Sequence, residues 1–270
     1  MHDRIAADYL GRLSALAVRS LGRVLAQGYL VNSRTTSATI WPGHKPVLVA
    51  PPALDRSRFI VEPVRPEVTA PVRRVVMVGR ISPWKGQHVF LEAFEQVFAD
   101  TDVEAYVVGG ALFGEREYEA ELHRTASAGR CAGRIHFTGH LDDVRHHQLS
   151  ADVLVHASVV PEPFGLVVSE GMAAGCAVIA TTPGGPAEVI TDGRDGLLVP
   201  CGDVDAMVAA LQELKADPEL AQRLRTAGQR SVRRYDATVQ AAWVQPWLHA
   251  VAHRVAPARP ATSWSDVAIP

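Results

Sequence analysis

Residues 75–86 read VVMVGRISPWKG, an apolar run that ends on Gly79 and opens into a turn carrying Arg80, Ser82, Pro83, Lys85 and Gly86. A short, continuously apolar run fits a strand buried on both faces, as a parallel sheet requires. Helical spacing follows at Phe90, Phe94 and Val97. The alternation then repeats through AYVVGG (105–110) and a charged helix, IHFTG (135–139), ADVLVHAS (151–158), AVIAT (177–181) and GLLVP (196–200). Strands alternating with helices predict an α/β fold, a doubly wound parallel sheet of the Rossmann-like kind.

Residues 72–234 hold this pattern and are expected to form one nearly complete domain. Within it, Asp203 starts a helix carrying Met207, Val208, Leu211 and Leu214, and another begins near Pro218, whose ring suits a first helical turn. Residues 235–270 read as a crossover helix, with Val239, Trp243, Trp247 and Val251, followed by a proline-containing tail. Upstream, Leu10, Leu13, Leu16, Ala17, Leu21, Val24 and Leu25 recur at helical spacing, which predicts an amphipathic helix over 8–27. A short strand at Tyr29-Leu30-Val31 and a helix capped by Ser33 follow. Prolines then interrupt the chain, and the hinge falls at 55–71. Residues 1–71 thus read as a partial amino-terminal domain and linker, without a complete sheet of their own.

The 270 residues are 47% hydrophobic, enough for a substantial core. Twenty-seven Lys and Arg against 29 Asp and Glu give a formal charge of -2, which offers no general footprint for nucleic acid. Cys131, Cys176 and Cys201 lack the paired spacing of a disulfide scaffold or a zinc site, so a reducing, cytoplasmic setting is expected. No apolar run reaches the roughly 18 residues of a membrane span, and the start lacks a signal-peptide hydrophobic region.

Ligands of open α/β sheets gather beyond the carboxyl ends of the strands, where GRISPWKG (79–86) lies. Arg80 suits multidentate contact with phosphate oxygens and Lys85 adds a compact charge, while Gly79 and Gly86 permit tight turns. The spacing fits neither a dinucleotide glycine loop nor a phosphate-binding loop. A second stretch, PEPFGLVVSEGMAAG (161–175), follows another buried strand. Pro161 and Pro163 restrain Glu162, and Gly165 relieves crowding where a helix starts near Leu166. The N–H groups of Phe164, Gly165, Leu166 and Val167 are therefore candidates to meet phosphate. Glu170, about one turn further, suits ribose hydroxyls.

Taken singly, each of these residues has an ordinary structural reading, such as a solvated charge or helix-start stabilisation. Together they point to a sugar attached to a diphosphate. Phe164 reads as a pocket wall, and Trp84 as packing. Gly109, Gly110 and Pro183-Gly184-Gly185 lie in strand-end loops near such a ligand, where turn formation alone explains them equally well. His136, His140, His146, His147 and His156 follow no metal-ligand spacing and read as packing, surface or nucleotide-loop residues. His140, after Gly139 at a strand end, is the one placed to meet a nucleotide.

GRISPWKG, EPFGLVVSE and GMAAGCAVIATTPGGPAEVI together resemble the donor-binding half of the retaining family 4 glycosyltransferases, whose GT-B fold faces two Rossmann-like domains. The resemblance is strongest over 72–200, reaches back through YLVNS and APPALDRSRF, and weakens forward into the terminal helices. It implies donor diphosphate contacts for Arg80 and Lys85, a sugar contact for Glu162, a ribose contact for Glu170 and phosphate contacts from the Gly165-Leu166 backbone. It also implies transfer with retention from a nucleoside diphosphate sugar to an unidentified acceptor. The donor is a substrate, no cofactor is expected, and the cationic and backbone donors give a reason that metal need not be essential.

The chain departs from the family pattern at APPALD, at Gly171 inside a helix, and in showing only the last helix-strand-helix portion of the acceptor-side domain. His2 is no substitute for that domain's histidine. Two other readings follow: a non-catalytic nucleotide-sugar-binding subunit completed by an acceptor-domain partner or an oligomer, and a sugar-nucleotide epimerase or phosphorolytic enzyme.

Overall fold

The computed structural model describes residue 5 and residues 10–59 and 70–253. The part of the expected hinge at 60–69 and the tail after residue 253 lie outside the described residues. The described chain divides into two units. One takes the stretches up to Arg56 and from Arg233 onward, and the other is Ser57–Val232.

The larger unit is a six-stranded, wholly parallel sheet. Its strands are β3 (Arg74–Val78), β4 (Glu104–Val108), β5 (Ile135–Gly139), β6 (Val153–Val155), β7 (Ala177–Thr182) and β8 (Leu197–Pro200), in the order β5-β4-β3-β6-β7-β8. This doubly wound, Rossmann-like arrangement is the fold expected from the strand-helix alternation. Val75, Met77, Val153, Val155, Ala177 and Ile179 enter one core cluster, and the alternating Val76, Leu154 and Val178 are buried as fully on the other side. That double burial is why the strands read as continuous apolar runs rather than alternating ones.

The cluster is closed by helices at Gln87–Phe98 (α3) and Val204–Ala216 (α8). Phe90, Phe94 and Phe98 of α3 succeed one another with ring centroids 6.0 and 5.0 Å apart, joined by Met207, Leu211 and Leu214 of α8. Burial of each such ring contributes about 1.5–3 kcal/mol. The remaining helices of this unit are α4 (Arg116–Ala128), α5 (Arg145–Ser150), α6 (Leu166–Ala173), α7 (Pro186–Val189) and α9 (Pro218–Ser231). Asp203 and Asp217 cap α8 and α9 by accepting from Ala206 N–H and Leu220 N–H. Gly171, poor in helix propensity, has a packing reason. A Cβ there would come within 2.7 Å of the buried Leu154 side chain, so α6 lies close against β6.

In the smaller unit, β1 (Tyr29–Val31) and β2 (Val47–Val49) form a two-stranded parallel sheet, and α1 (Arg12–Leu25) and α2 (Arg34–Ser37) flank them in sequence. Ser33 caps α2 by accepting from Thr36 N–H. Leu54 pairs with Asp236 at the start of α10 (Ala237–Ala252), which makes APPALD a tether for that helix. The apolar stripe of α1 points outward: Leu13 is 84% exposed and Val24 77%. The helix is held by its other side, through buried Ala15 and an Arg19 Nε–H donated to the Thr39 carbonyl at 2.8 Å. Among the described residues no helix is long and apolar enough to cross a membrane.

Candidate active site

The winding of the larger unit reverses at β3, which has β4 on one side and β6 on the other, so the ligand position expected of an open α/β sheet falls beyond the carboxyl ends of β3 and β6. The turns leaving these two strands are stitched together. Gly86 has φ 75°, and a Cβ there would overlap the Ala157 carbonyl, so glycine answers both the backbone conformation and the close approach. Val159 N–H donates to the Trp84 carbonyl at 2.9 Å. The stitching delivers Lys85 to Glu162: Nζ donates to Oε1 at 2.7 Å, and Nζ also lies 4.3 Å from the Trp84 ring centroid. Trp84, read as packing, therefore also faces the Lys85 charge.

Glu162 is the most heavily engaged side chain of the site, with 11% of it exposed. Its Oε2 lies 2.6 Å from His156 Nε2 and accepts from Ser158 Oγ at 2.7 Å. Its backbone carbonyl accepts from Gly185 N–H at 2.8 Å, fixing the residue at both ends. Burial pushes the Glu162 carboxyl up, but the charge and hydrogen bond of His156, and then those of Lys85, outweigh it and hold the carboxyl well below the usual carboxylate range. The group stays an anion in a nearly dry setting.

Arg80 has a different environment. Its Nη1 donates to Glu115 Oε1 at 3.1 Å, and its guanidinium carbon lies 4.8 Å from the Phe113 ring centroid. The Phe113 N–H donates to Glu115 at 2.8 Å and is the main reason that this carboxyl sits below its usual range, with Arg80 adding to it. Arg80 is thus held by the loop after β4, while Lys85 is held by the turn after β6.

Helix α6 starts at Gly165, with φ 82° and no side-chain cap. Val168 N–H is the first to find an acceptor in this turn, the Gly165 carbonyl at 3.0 Å, so the N–H groups of Leu166 and Val167 have no intrahelical acceptor. Phe164 is buried, consistent with a wall or anchor. The Pro183-Gly184-Gly185 turn packs directly on it, because a Cβ on Gly185 would overlap the Phe164 Cα. Glu170 accepts from Gln148 Nε2 at 2.9 Å through Oε2. Gly109 presses its Cα face against the Gly79 carbonyl, leaving no room for a side chain between β3 and β4. His140 is exposed, with Nε2 3.8 Å from Asp142.

Of the residues singled out from sequence, the fold joins Lys85 to Glu162 and Gly79 to Gly109, and draws Arg80 toward Glu115. Sequence reading missed His156, Ser158, Glu115 and Gln148 as partners. For His156 a signal existed: a polar residue directly following an apolar central strand must be given hydrogen-bond partners when buried. Among the described residues no three His, Cys, Asp or Glu side chains gather in a metal-holding group. Cys131, Cys176 and Cys201 form no disulfide with one another, and burial pushes the Cys131 thiol up to about 11.

Residues 66–231 match the family model of glycosyl transferases group 1. A phosphatidyl-myo-inositol mannosyltransferase of Mycolicibacterium smegmatis is 35% identical over 198 residues, 72% of this chain and 49% of that protein. A GDP-mannose-dependent alpha-(1-6)-phosphatidylinositol monomannoside mannosyltransferase of the same organism is 31% identical, over 66% of this chain and 49% of that protein. The chain spans about half the length of these curated relatives. In fold it resembles Anabaena Alr3699/HepE, solved in complex with UDP and glucose, with TM-score 0.84 and 24% identity over 93% of this chain and 70% of that one.

Proposed function

The chain belongs to the glycosyl transferases group 1 family, and from that premise we propose that it forms the donor side of an enzyme moving a glycosyl group, with retention, from a nucleoside diphosphate sugar to an acceptor. The observation that carries this reading is the Lys85–Glu162 pair at the reversal of the sheet. It gathers the charges such a reaction needs. The departing diphosphate develops negative charge, which Lys85, Arg80 and the open N–H groups of α6 offset. The anomeric carbon develops positive charge, which the ionised Glu162 favours while holding sugar hydroxyls. Glu170 accepts from the ribose. The acceptor hydroxyl attacks on the face from which the diphosphate leaves: the C1–O(phosphate) bond breaks, the C1–O(acceptor) bond forms, and the proton passes to the leaving oxygen.

Because the chain spans half the length of its curated relatives, a second reading is a nucleotide-sugar-binding subunit that acts with a partner carrying the acceptor side. Calorimetric titration with UDP and GDP, then UDP-glucose and GDP-mannose, separates the two when followed by product analysis with and without candidate acceptors. Saturable binding that weakens in Lys85→Ala and Arg80→Ala, with an α-configured product from an α-configured donor, is expected for the enzyme. Binding without transfer identifies the subunit. Absence of any nucleoside diphosphate binding by the folded chain sinks both.

A further inference from the structure

His156 is 3% exposed and directly follows the central strand β6, where a polar ring is costly unless both nitrogens are satisfied. Its backbone N–H belongs to the sheet, donating to Ile179 at 2.8 Å, and the ring lies between β7 and the turn that carries Glu162. On the β7 side, Nδ1 is 3.4 Å from the Thr181 backbone N and 3.2 Å from Thr181 Oγ1. On the other side, Nε2 is 2.6 Å from Glu162 Oε2 and 3.1 Å from Ser158 Oγ. The Thr181 N–H assigns the lone pair of the neutral ring to Nδ1, and the Thr181 hydroxyl is there to accept from Nδ1 in the cation. In either form, Nε2 carries a hydrogen directed at Glu162.

This division of labour matters once a diphosphate arrives. Lys85 is the ammonium on Glu162 Oε1, and incoming phosphate oxygens compete for its three hydrogens. Whatever Lys85 gives to phosphate is lost to Glu162. The His156 and Ser158 donors sit on Oε2, the oxygen away from Lys85, and Ser158 is itself fully buried. Resting on the donor-site reading above, we propose that His156 is the positioning residue of Glu162: relayed from Thr181, it fixes the carboxylate plane and keeps Oε2 occupied while Lys85 turns to the diphosphate. Thr181 and Ser158 act through it and beside it. The titratable groups facing Glu162 are Lys85 from the β3 turn, His156 beyond β6 and the half-buried Cys201 after β8, whose thiol is pushed up by burial first and by Glu162 second.

The test is the titration of the Glu162 carboxyl, followed by carbon-13 NMR on the folded chain with and without UDP or GDP, in wild type, His156→Phe and His156→Gln. A phenyl ring fills the space without donating, whereas the glutamine amide can still give an N–H to Oε2. The expected result is a midpoint raised by about one pH unit in His156→Phe, the scale of losing a donor to the charged form. That rise should grow when the nucleotide is bound and should be smaller in His156→Gln, which keeps an N–H for Oε2 but not the charge. If His156→Phe titrates like wild type, His156 is packing; if both variants rise equally, its charge and not its directed N–H sets the carboxyl; either result overturns the positioning role. Failure of the wild-type chain to bind either nucleotide would instead defeat the donor-site reading, with the titration of the free protein still deciding whether His156 sets the state of Glu162.

Discussion

Lys85 and Arg80 leave the same strand on the same turn, yet the fold treats them differently. The Lys85 side chain is 17% exposed and shares Glu162 with His156 and Ser158, so its pair belongs to a closed network. Arg80 is 27% exposed and meets Glu115 on a loop otherwise marked by the exposed Phe113 and Leu112. A charge pair inside a closed network loses, with either member, a buried partner that water replaces poorly. A pair at the rim can exchange partners at little cost. The comparison suggests a fixed anchor and an adjustable arm for the same ligand.

The largest effect expected is from Lys85→Met. Removing the ammonium leaves Glu162 Oε1 without its cation while His156 and Ser158 still hold Oε2, and should cost about 1–3 kcal/mol of stability, read as a lower urea midpoint, together with loss of most nucleoside diphosphate affinity. If the urea midpoint holds within error, Glu162 is better hydrated than its burial implies and the anchor half of the comparison breaks.

The next is acid. The carboxyl of Glu162 is depressed in the folded chain, so the unfolded chain binds its proton first on acidification. Stability from this group is complete above the ordinary carboxylate range, and is lost as pH falls through that range toward the depressed value. Its loss should add a slope approaching about 1.4 kcal/mol per pH unit to urea-derived stability below about pH 4. Glu162→Gln should remove that slope, and an unchanged acid limb in the variant would assign acid sensitivity elsewhere.

Glu115→Gln tests the arm. It frees Arg80 from a competing anion, so nucleoside diphosphate binding should tighten several-fold by calorimetry, most at low salt, with an unchanged thermal midpoint. Weaker binding would mean that Glu115 holds Arg80 in its working position rather than away from it. The smallest effect is expected from Phe113→Ala, which removes a cation–π contact of about 0.5–1 kcal/mol at an exposed site and should alter affinity slightly in either direction. A loss as large as that of Lys85→Met would make the two cations equivalent and erase the contrast.

Much of this was legible in the chain. The runs VVMVG, AYVVGG and AVIAT are apolar on both faces because the sheet is covered on both, and the helix begins at Gly165 where EPFG breaks the preceding strand's turn. Glu162 and Lys85 were both singled out from sequence, though not as a pair. The apolar stripe of α1 was legible as a shared face but its outward direction was not, since periodicity reveals which side chains share a face and not which face is covered. His156 was set aside with the other histidines because spacing along the chain carries no record of a partner across a turn.

The alternation of strand and helix, the turns at the carboxyl ends of the strands and the residue types offered there are all written locally in the chain. These follow from local periodicity and from glycine and proline, which act within a few residues of themselves. Only the tertiary structure decided which cation met which carboxylate. Lys85 and Glu162 lie 77 residues apart, and Arg80 and Glu115 lie 35 apart. What joins each pair is the order of strands in the sheet and a close approach of backbone, at Gly86 and Gly185 for the first pair and at Gly109 beside Arg80 for the second, set by packing of the whole domain.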